Sequence, residues 1–166
     1  MVRTVCVALS VAFGFIGSAH GASLWKERLG KWAVEAQSDD QTGAFSACGG
    51  GQKFDGGNVL VFVLGKAGWT MGVNNSNWQL AKSSRYDVRY WIDAYEPENA
   101  SGVAISSDSI ELPIRDISAF YQNVRDGYRM FVYSGGTRQE FEIAGAAQLL
   151  SYIDRCVKAG GRKPSA

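Results

Sequence analysis

RQEFEIAGAAQLLSYIDRCV, residues 138–157, is the stretch that decides the fold. It is typical of a strand followed by a hinge at Gly145 and then a helix. Apolar residues recur on the helix at spacings of three and four and form one stripe: Ala146, Leu149, Leu150, Ile153 and Val157. A helix with one apolar face must cover another apolar surface, and only the upstream strands offer one. We therefore expect the helix to cover an open face or end of a sheet, tied there through Cys156 beside the stripe.

The N-terminus is typical of a secretory signal peptide. Arg3 supplies a positive charge before an apolar run of 12 residues, 5–16, which is too short to span a bilayer comfortably. Residues 19–21, Ala-His-Gly, then fit the small-x-small rule for cleavage before Ala22. The sequence predicts a signal peptide at residues 1–21 and an exported protein, periplasmic or secreted, that does not span the membrane. A buried N-terminal helix or strand is the alternative.

Cleavage would change the inventory of reactive residues. It would remove His20, the only histidine, and Cys6, which leaves Cys48 and Cys156. Two cysteines in an oxidising compartment most simply pair with each other. We expect a Cys48–Cys156 disulfide, whose long loop would stabilise the fold by roughly 4–5 kcal/mol in the chain-entropy model. Two free buried thiols or an intermolecular bond are the alternatives.

The charge of the mature chain argues against nucleic acid as a partner. Without Arg3, the count of Lys and Arg falls from 17 to 16 and equals the 16 Asp and Glu residues. Phosphate binding favours a basic surplus or patch. Removal of 21 of the 166 residues leaves 145, which suffice for one domain with its own core. We place that domain at residues 22–157 and expect a flexible tail at 158–166.

Short alternating or apolar segments between turn residues predict a mainly β fold. The predicted strands are residues 32–37, 44–48, 58–64, 69–73, 78–80, 86–94, 101–106, 109–112, 128–133 and 137–143. Residues 58–94 are expected to form a meander, and residues 128–143 a hairpin across Ser134-Gly135-Gly136. A short helix capped by Asp116 or Ser118 precedes that hairpin. The expected architecture is an antiparallel β-sandwich or partly open barrel with one short helix and a C-terminal helix packed on the sheet.

Three further segments are expected to be irregular. SLWKERLGKW, residues 23–32, is interpreted as an entry segment with a short helical turn that ends at Gly30. CGGGQKFDGG, residues 48–57, contains five glycines and is interpreted as a loop, as are residues 95–102. The glycine-rich segment lacks the G-x-x-x-x-G-K-[ST] order of phosphate-binding loops, which argues against nucleotide binding.

The mature chain offers few parts for catalysis. Without histidine, neither a Ser-His-Asp nor a Cys-His arrangement can form, and zinc loses a usual ligand. Paired cysteines are inert, and the mature sequence has no C-x-x-C redox motif. Four carboxylates close in sequence favour a solvated face but leave carboxylate-dependent hydrolysis open: Asp87, Asp93, Glu96 and Glu98. We predict no catalytic residue, no metal and no cofactor.

An aromatic cluster is the strongest candidate for binding. Six large rings lie between residues 69 and 95, namely Trp69, Trp78, Tyr86, Tyr90, Trp91 and Tyr95. Alternation along residues 86–94 predicts one face of Tyr86, Val88, Tyr90 and Ile92 and another of Asp87, Arg89, Trp91 and Asp93. An outward Trp91 would expose a flat ring that suits binding surfaces, although most of the cluster is expected to be core. The candidate binding residues are Trp69, Trp78, Arg89, Trp91 and Asp93.

Four segments together resemble the layout of the invasion-associated locus B family of exported bacterial proteins: WQL at 78–80, YDVRYWIDA at 86–94, LPIRDISAFYQNVRDGYRMFVY at 112–133 and FEIAGAAQLLSYIDRCV at 141–157. In that family a strand ends in Ile-Asp, a short helix precedes a strand that opens with glycine and a hydrophobic residue, and the final helix contains Gly-Ala. This chain lacks the additional mid-chain cysteine pair of the family. The resemblance implies a periplasmic or secreted β-rich domain without known catalysis, sometimes linked to host-cell interaction, and supplies no catalytic residues.

These observations leave three hypotheses for the function. The first is a non-catalytic exported domain that binds a protein partner or a component of the cell envelope. The second is a glycan-binding module that uses the aromatic cluster around Trp69, Trp78 and Trp91. The third is a secreted hydrolase that uses the carboxylates of residues 87–98, and a protease inhibitor is also open.

Overall fold

The structure is a computed structural model that describes residues 22–165. The predicted signal peptide, residues 1–21, lies outside the described residues. Within the described range, no helix is long and apolar enough to cross a membrane.

The described chain is mainly β, as predicted. Its strands are β1 (Ser23–Leu29), β2 (Trp32–Ser38), β3 (Phe45–Lys53), β4 (Val59–Gly65), β5 (Gly68–Asn74), β6 (Arg85–Ile92), β7 (Glu98–Ser106), β8 (Ser109–Pro113), β9 (Arg129–Ser134) and β10 (Thr137–Glu142). Its helices are α1 (Ile117–Asp126) and α2 (Ala146–Lys158), and a single 3₁₀ turn spans Asp55–Gly57. All these strands join one antiparallel sheet in the order β1-β2-β3-β4-β5-β8-β7-β6-β9-β10, and the sheet is not closed.

The sheet curls until its two ends share one core. Phe54, just after β3, meets Phe141 of β10 edge to face, with ring centroids 5.0 Å apart. Trp32 lies at the start of β2, and its Nε1–H donates a hydrogen bond to the carbonyl of Ala144, just after β10, at 2.9 Å. Buried residues from both ends of the sheet belong to a single apolar cluster. The fold is therefore the partly open barrel that the sequence predicts as one of two possibilities.

Helix α2 seals this core against β2, β3, β4 and α1. The buried residues of the helix are Ala146, Leu149, Leu150, Tyr152, Ile153 and Cys156. The absence of a side chain at Gly50 of β3 permits the close approach, because a Cβ there would lie 2.3 Å from Leu149 Cδ1. Cys156 forms the predicted disulfide with Cys48 of β3, across a Cα–Cα distance of 6.2 Å.

The residues after α2 run back onto β1. Trp25 Nε1 donates a hydrogen bond to the carbonyl of Gly161 at 2.7 Å, and Lys163 pairs with Glu27 at 2.5 Å. Gly161 itself is buried, and a Cβ there would lie 2.2 Å from the Phe45 ring. These contacts attach the start of the C-terminal segment to β1, while the domain boundary at residue 157 and the flexibility of the tail stay predictions.

The prediction of a helical turn within residues 23–32 is wrong. Residues 23–29 form β1, which pairs with β2 in an antiparallel hairpin. From Leu24 onward exposure alternates residue by residue, and Trp25, Glu27 and Leu29 are its more buried members. A period of two is the signature of a strand with one covered face, so the alternation outweighs the helix-forming residues Lys26 and Glu27.

The prediction of a loop throughout residues 48–57 is also wrong. Strand β3 continues through the three glycines to Lys53, and only the residues around the 3₁₀ turn are irregular. The glycines serve close packing on both sides of the strand. Besides the contact of Gly50 with α2, a Cβ on Gly49 would lie 3.1 Å from Val63 Cγ2 of β4. Glycine in a strand commonly marks such a close approach.

The predicted meander at residues 58–94 holds only for its first hairpin. Strand β5 pairs with β8, and β6 lies two strands further along the sheet. Residues 78–80 form no strand. Residues 75–78 form a turn, and the backbone N–H of Leu80 donates a hydrogen bond to the carbonyl of Ser107. Strand β7 begins at Glu98, inside the segment predicted as a loop.

Local signals of the second half of the chain are confirmed. The Asp116 carboxylate accepts a hydrogen bond from the backbone N–H of Ala119 at 3.0 Å and caps α1 as predicted. Phe120 and Val124 form the buried side of that helix. Strands β9 and β10 form the predicted hairpin, whose turn has positive φ at Gly135 (57°) and Gly136 (79°).

Candidate functional site

Strands β6, β9 and β10 lie side by side and turn alternate side chains away from the core. On β6, Val88, Tyr90 and Ile92 are buried, whereas Asp87 and Arg89 are exposed. The predicted alternation along this strand is therefore confirmed. The outward side chains of the three strands form one continuous surface, because each strand pairs with the next in register.

We call five outward residues of these strands the Arg–aromatic face: Arg89 and Trp91 of β6, Phe131 and Tyr133 of β9, and Arg138 of β10. Arg89 lies opposite Tyr133 and Trp91 opposite Phe131, while Arg138 faces Tyr133 from the other side. The rings of Trp91 and Phe131 stack with centroids 5.2 Å apart and an interplanar angle of 18°. Cross-strand aromatic pairs of this kind hold neighbouring strands in register.

The two guanidinium groups of this face lie over the rings. Arg89 is 5.7 Å from the centroid of Trp91 and 5.6 Å from that of Tyr133, and Arg138 is 5.4 Å from that of Phe131. Cation–π contacts at exposed sites contribute about 0.5–1 kcal/mol each. Within residues 22–165, neither arginine forms an ion pair with a carboxylate. Their N–H donors are positioned by stacking and remain available to a ligand.

A polar groove adjoins the Arg–aromatic face along β6 and β7. Its volume is about 640 Å³, within the range of ligand pockets. The polar and aromatic side chains that line it are those of Asp87, Arg89, Asn99, Ser101, Arg115 and Tyr133. Arg89 and Tyr133 belong to both features, so a ligand on the face also reaches the groove.

A second groove lies between the two helices. It measures about 410 Å³ and is lined by Trp69, Ile117, Ser118, Tyr121, Gln122, Leu150, Ser151 and Asp154. Two aromatic rings therefore stand beside amide, hydroxyl and carboxylate groups. Such a mixture suits a ligand with both apolar and polar surfaces.

The structure separates the five candidate binding residues. Arg89 and Trp91 join the Arg–aromatic face, whereas Trp69 lines the groove between the helices. Trp78 lies in the connection before β6 and packs, partly buried, against the core. The Asp93 carboxylate accepts hydrogen bonds from the backbone N–H groups of Tyr128 at 2.7 Å and Arg129 at 2.9 Å, so it fixes the entry to β9. The three tryptophans do not form one surface.

Sequence reasoning missed Phe131, Tyr133 and Arg138. Alternation along residues 128–133 places Phe131 and Tyr133 opposite the buried Met130 and Val132, so their outward direction was accessible from the sequence. What the sequence did not indicate is that β9 lies beside β6. The two strands are 36 residues apart and pair only because β7 and β8 fold back on the other side of β6.

Two of the neighbouring carboxylates, Asp87 and Glu98, have different surroundings. Asp87 lines the outer groove. Glu98 accepts a hydrogen bond at 2.8 Å from the hydroxyl of Tyr90, a buried residue. Burial, followed by this hydrogen bond, raises the pKa of Tyr90 and keeps the phenol protonated. In the part of the chain that the structure describes, no group of three His, Cys, Asp or Glu side chains is placed to hold a metal ion.

Comparison with known proteins shows a likeness in fold to a solved structure. No protein-family model matches the chain, and no curated protein matches it in sequence. The crystal structure of invasion associated protein B from Bartonella henselae is similar over 82% of this chain and 99% of that chain, with a TM-score of 0.58 and 15% identity. At this identity the likeness shows the fold alone. The distant resemblance predicted from the sequence is thereby confirmed, and the chain has the fold of invasion associated protein B.

Proposed function

We propose that the chain is a non-catalytic, exported domain that binds a protein partner through the Arg–aromatic face. One observation supports this above all others: Arg89 and Arg138 are held over aromatic rings and lack a carboxylate partner within the described residues. Trp, Tyr and Arg are the residues enriched at the energetic centres of protein interfaces. Here they lie together on three paired strands.

The aromatic rings would supply the area that is buried at the interface, and the guanidinium groups would orient the partner. Aromatic rings bury a large area and lose little side-chain entropy, because few torsions must be fixed. A stacked guanidinium presents planar N–H donors that match a carboxylate of the partner. The partner surface would therefore be flat, partly apolar and acidic.

Export is the second part of the proposal. The Cys48–Cys156 disulfide is typical of proteins outside the reducing cytosol. The layout of residues 78–157 resembles the invasion-associated locus B family, and that resemblance implies an exported protein. We therefore place the mature chain in the periplasm or the extracellular space, where its partner is a protein of the cell envelope or of the surroundings.

Photo-crosslinking in living cells of the source organism would test the proposal. A benzophenone-bearing phenylalanine replaces Tyr133, a residue of the face that is 40% exposed. The matched control carries the same probe at Lys66, an exposed residue in the turn between β4 and β5. We expect a discrete protein adduct from position 133 and none from position 66.

A second substitution makes the result specific. Arg89→Ala should abolish the adduct from position 133, because it removes one guanidinium while the stacked rings remain. The proposal fails when position 133 gives no protein adduct, or when positions 133 and 66 give the same adducts. It also fails when the adduct persists undiminished with Arg89→Ala.

Glycan binding in the groove between the helices is a second candidate. The observation that favours it is the pair of rings, Trp69 and Tyr121, beside the amide of Gln122 and the carboxylate of Asp154. Retention on immobilised envelope polysaccharide tests it. Retention that Trp69→Ala abolishes and Trp91→Ala leaves unchanged supports this candidate, whereas a lack of retention by the wild-type chain excludes it. The secreted hydrolase and the protease inhibitor both stay predictions, and a screen against secreted proteases tests the second.

A further inference from the structure

Strand β10 forms one edge of the open sheet. It pairs with β9 on one side only. Among the described residues, no other backbone group bonds to residues 137–142. A free edge is a template for another strand, and proteins that remain monomeric usually cover or distort such an edge.

The hairpin geometry determines which backbone groups point out of this edge. Ser134 and Thr137 flank a two-residue turn and lie opposite each other. In such hairpins the flanking residues form the closely hydrogen-bonded pair, and bonded pairs alternate with non-bonded ones. Gln139 is therefore bonded to β9, whereas Arg138 and Glu140 direct their backbone N–H and C=O groups outward.

The side chains at this edge are self-complementary. When a second copy of β10 runs antiparallel about a two-fold axis through Gln139, each Arg138 lies opposite Glu140 of the other copy. Both side chains are exposed on the outer surface of the sheet. Opposite charges directly across a strand pair are favourable. Glu140 already pairs with Arg129 at 3.1 Å, so it would then lie between two guanidiniums.

The buried side chain of Gln139, on the inner surface of the sheet, is a second and independent indication of pairing at this edge. Its side chain is 4% exposed, yet neither its amide oxygen nor its amide nitrogen has a hydrogen-bond partner within the described residues. A buried, unsatisfied amide is costly and calls for a partner. On the two-fold axis each Gln139 would meet the same amide of the second copy, and two carboxamides can donate to and accept from each other.

We propose that the chain forms a two-fold symmetric dimer in which β10 pairs with β10 of a second copy, centred on Gln139. The interface is isologous, as expected for a closed dimer. It continues the sheet from one copy into the other and uses the outward backbone groups of Arg138 and Glu140. The two Arg–aromatic faces become neighbours on one surface. In the dimer Arg138 pairs with Glu140 of the second copy, and Arg89 is then the guanidinium of each face that stays available to a partner.

Charge exchange at the edge provides the test. Sedimentation of the mature, oxidised protein over a dilution series should show a dimer for the wild type. Arg138→Glu and Glu140→Arg should each be monomeric, because each places like charges opposite one another twice. An equimolar mixture of the two variants should form a heterodimer, since every cross-strand pair is then of opposite charge. The double variant with both substitutions should be a dimer again.

Hydrogen exchange gives a second, local readout. In the wild-type dimer the amides of Arg138 and Glu140 should be protected, and Arg138→Glu should remove that protection at position 140. The amide of Gln139, bonded to β9, should stay protected in both and so report that the hairpin is folded. Lys66→Glu, distant from the edge, is the control and should remain a dimer.

Three results would overturn the proposal. One is a wild-type chain that stays monomeric over the whole dilution series. Another is a dimer that persists in both single-charge variants, which would place the interface elsewhere. The third is a mixture of the two variants that remains monomeric although the amide of Gln139 shows that each hairpin is folded.

Discussion

At the scale of single residues, Gly50 sets how closely α2 approaches β3. A methyl group at this position would lie 2.3 Å from Leu149 Cδ1 and 3.1 Å from the carbonyl oxygen of Ala33. Leu149 is fully buried, so it must change rotamer or the helix must shift. Overpacking of this kind costs about 1–3 kcal/mol.

We therefore expect Gly50→Ala to lower the free energy of unfolding by about 1–3 kcal/mol in urea denaturation. Gly65→Ala is the matched control, because its Cβ would meet Ala47 Cβ at an ordinary 3.5 Å. A stability of Gly50→Ala equal to that of the control would show that the glycine is not required for the packing of α2.

Glu111 of β8 provides a residue-scale prediction for pH. Burial raises the pKa of its carboxyl above the usual 4.5. The neutral form therefore favours the folded state, and this contribution is present below the unfolded pKa and lost as the pH rises through the folded pKa. Glu111→Gln should be more stable than the wild type at neutral pH, and the difference should vanish near pH 4.

Unfolding free energies measured from acid to neutral pH would check this difference. Glu96→Gln, at an exposed position in the turn before β7, serves as the control and should follow the wild type throughout. A Glu111→Gln variant that is less stable than the wild type at neutral pH would contradict the assignment.

At the scale of elements, the disulfide joins α2 to β3. Cys48 and Cys156 are 108 positions apart, so the bond closes most of the described chain into a loop. Cys48→Ser together with Cys156→Ser should cost about 2–5 kcal/mol of unfolding free energy. Urea denaturation of the oxidised protein and of the double variant measures it, and equal stabilities would show that packing alone holds the helix.

The elements that the sequence predicted are those with local signals. The apolar stripe of α2, the Asp116 cap of α1 and the Gly135-Gly136 turn each depend on neighbouring residues, and each is present. The second half of strand β3, residues 49–53, was missed because its glycines have meaning only against α2 and β4. Likewise, the outward orientation of Trp91 could be predicted from the alternation along β6. That Phe131 and Arg138 lie near it depends on the order of the strands, which no local pattern encodes.

At the scale of the whole molecule, the sheet separates the core from the proposed binding surface. The inner side is filled by the apolar cluster, α1 and α2, and it determines whether the chain folds. The Arg–aromatic face lies on the outer side, where a substitution removes stacking contacts without opening the core. Trp91→Ala should therefore lower the unfolding free energy by only about 1–2 kcal/mol, the size of the lost aromatic stacking and cation–π contributions.

Calorimetry with the partner protein that cross-links at position 133 would test most directly whether the Arg–aromatic face is the binding surface. Wild type, Trp91→Ala and the control Lys66→Ala would be titrated under identical conditions. Trp91→Ala should bind at least about tenfold more weakly than the wild type, as expected for an interface centre, and Lys66→Ala should bind with unchanged affinity. Equal affinities for all three proteins would contradict the claim that the Arg–aromatic face is the binding surface.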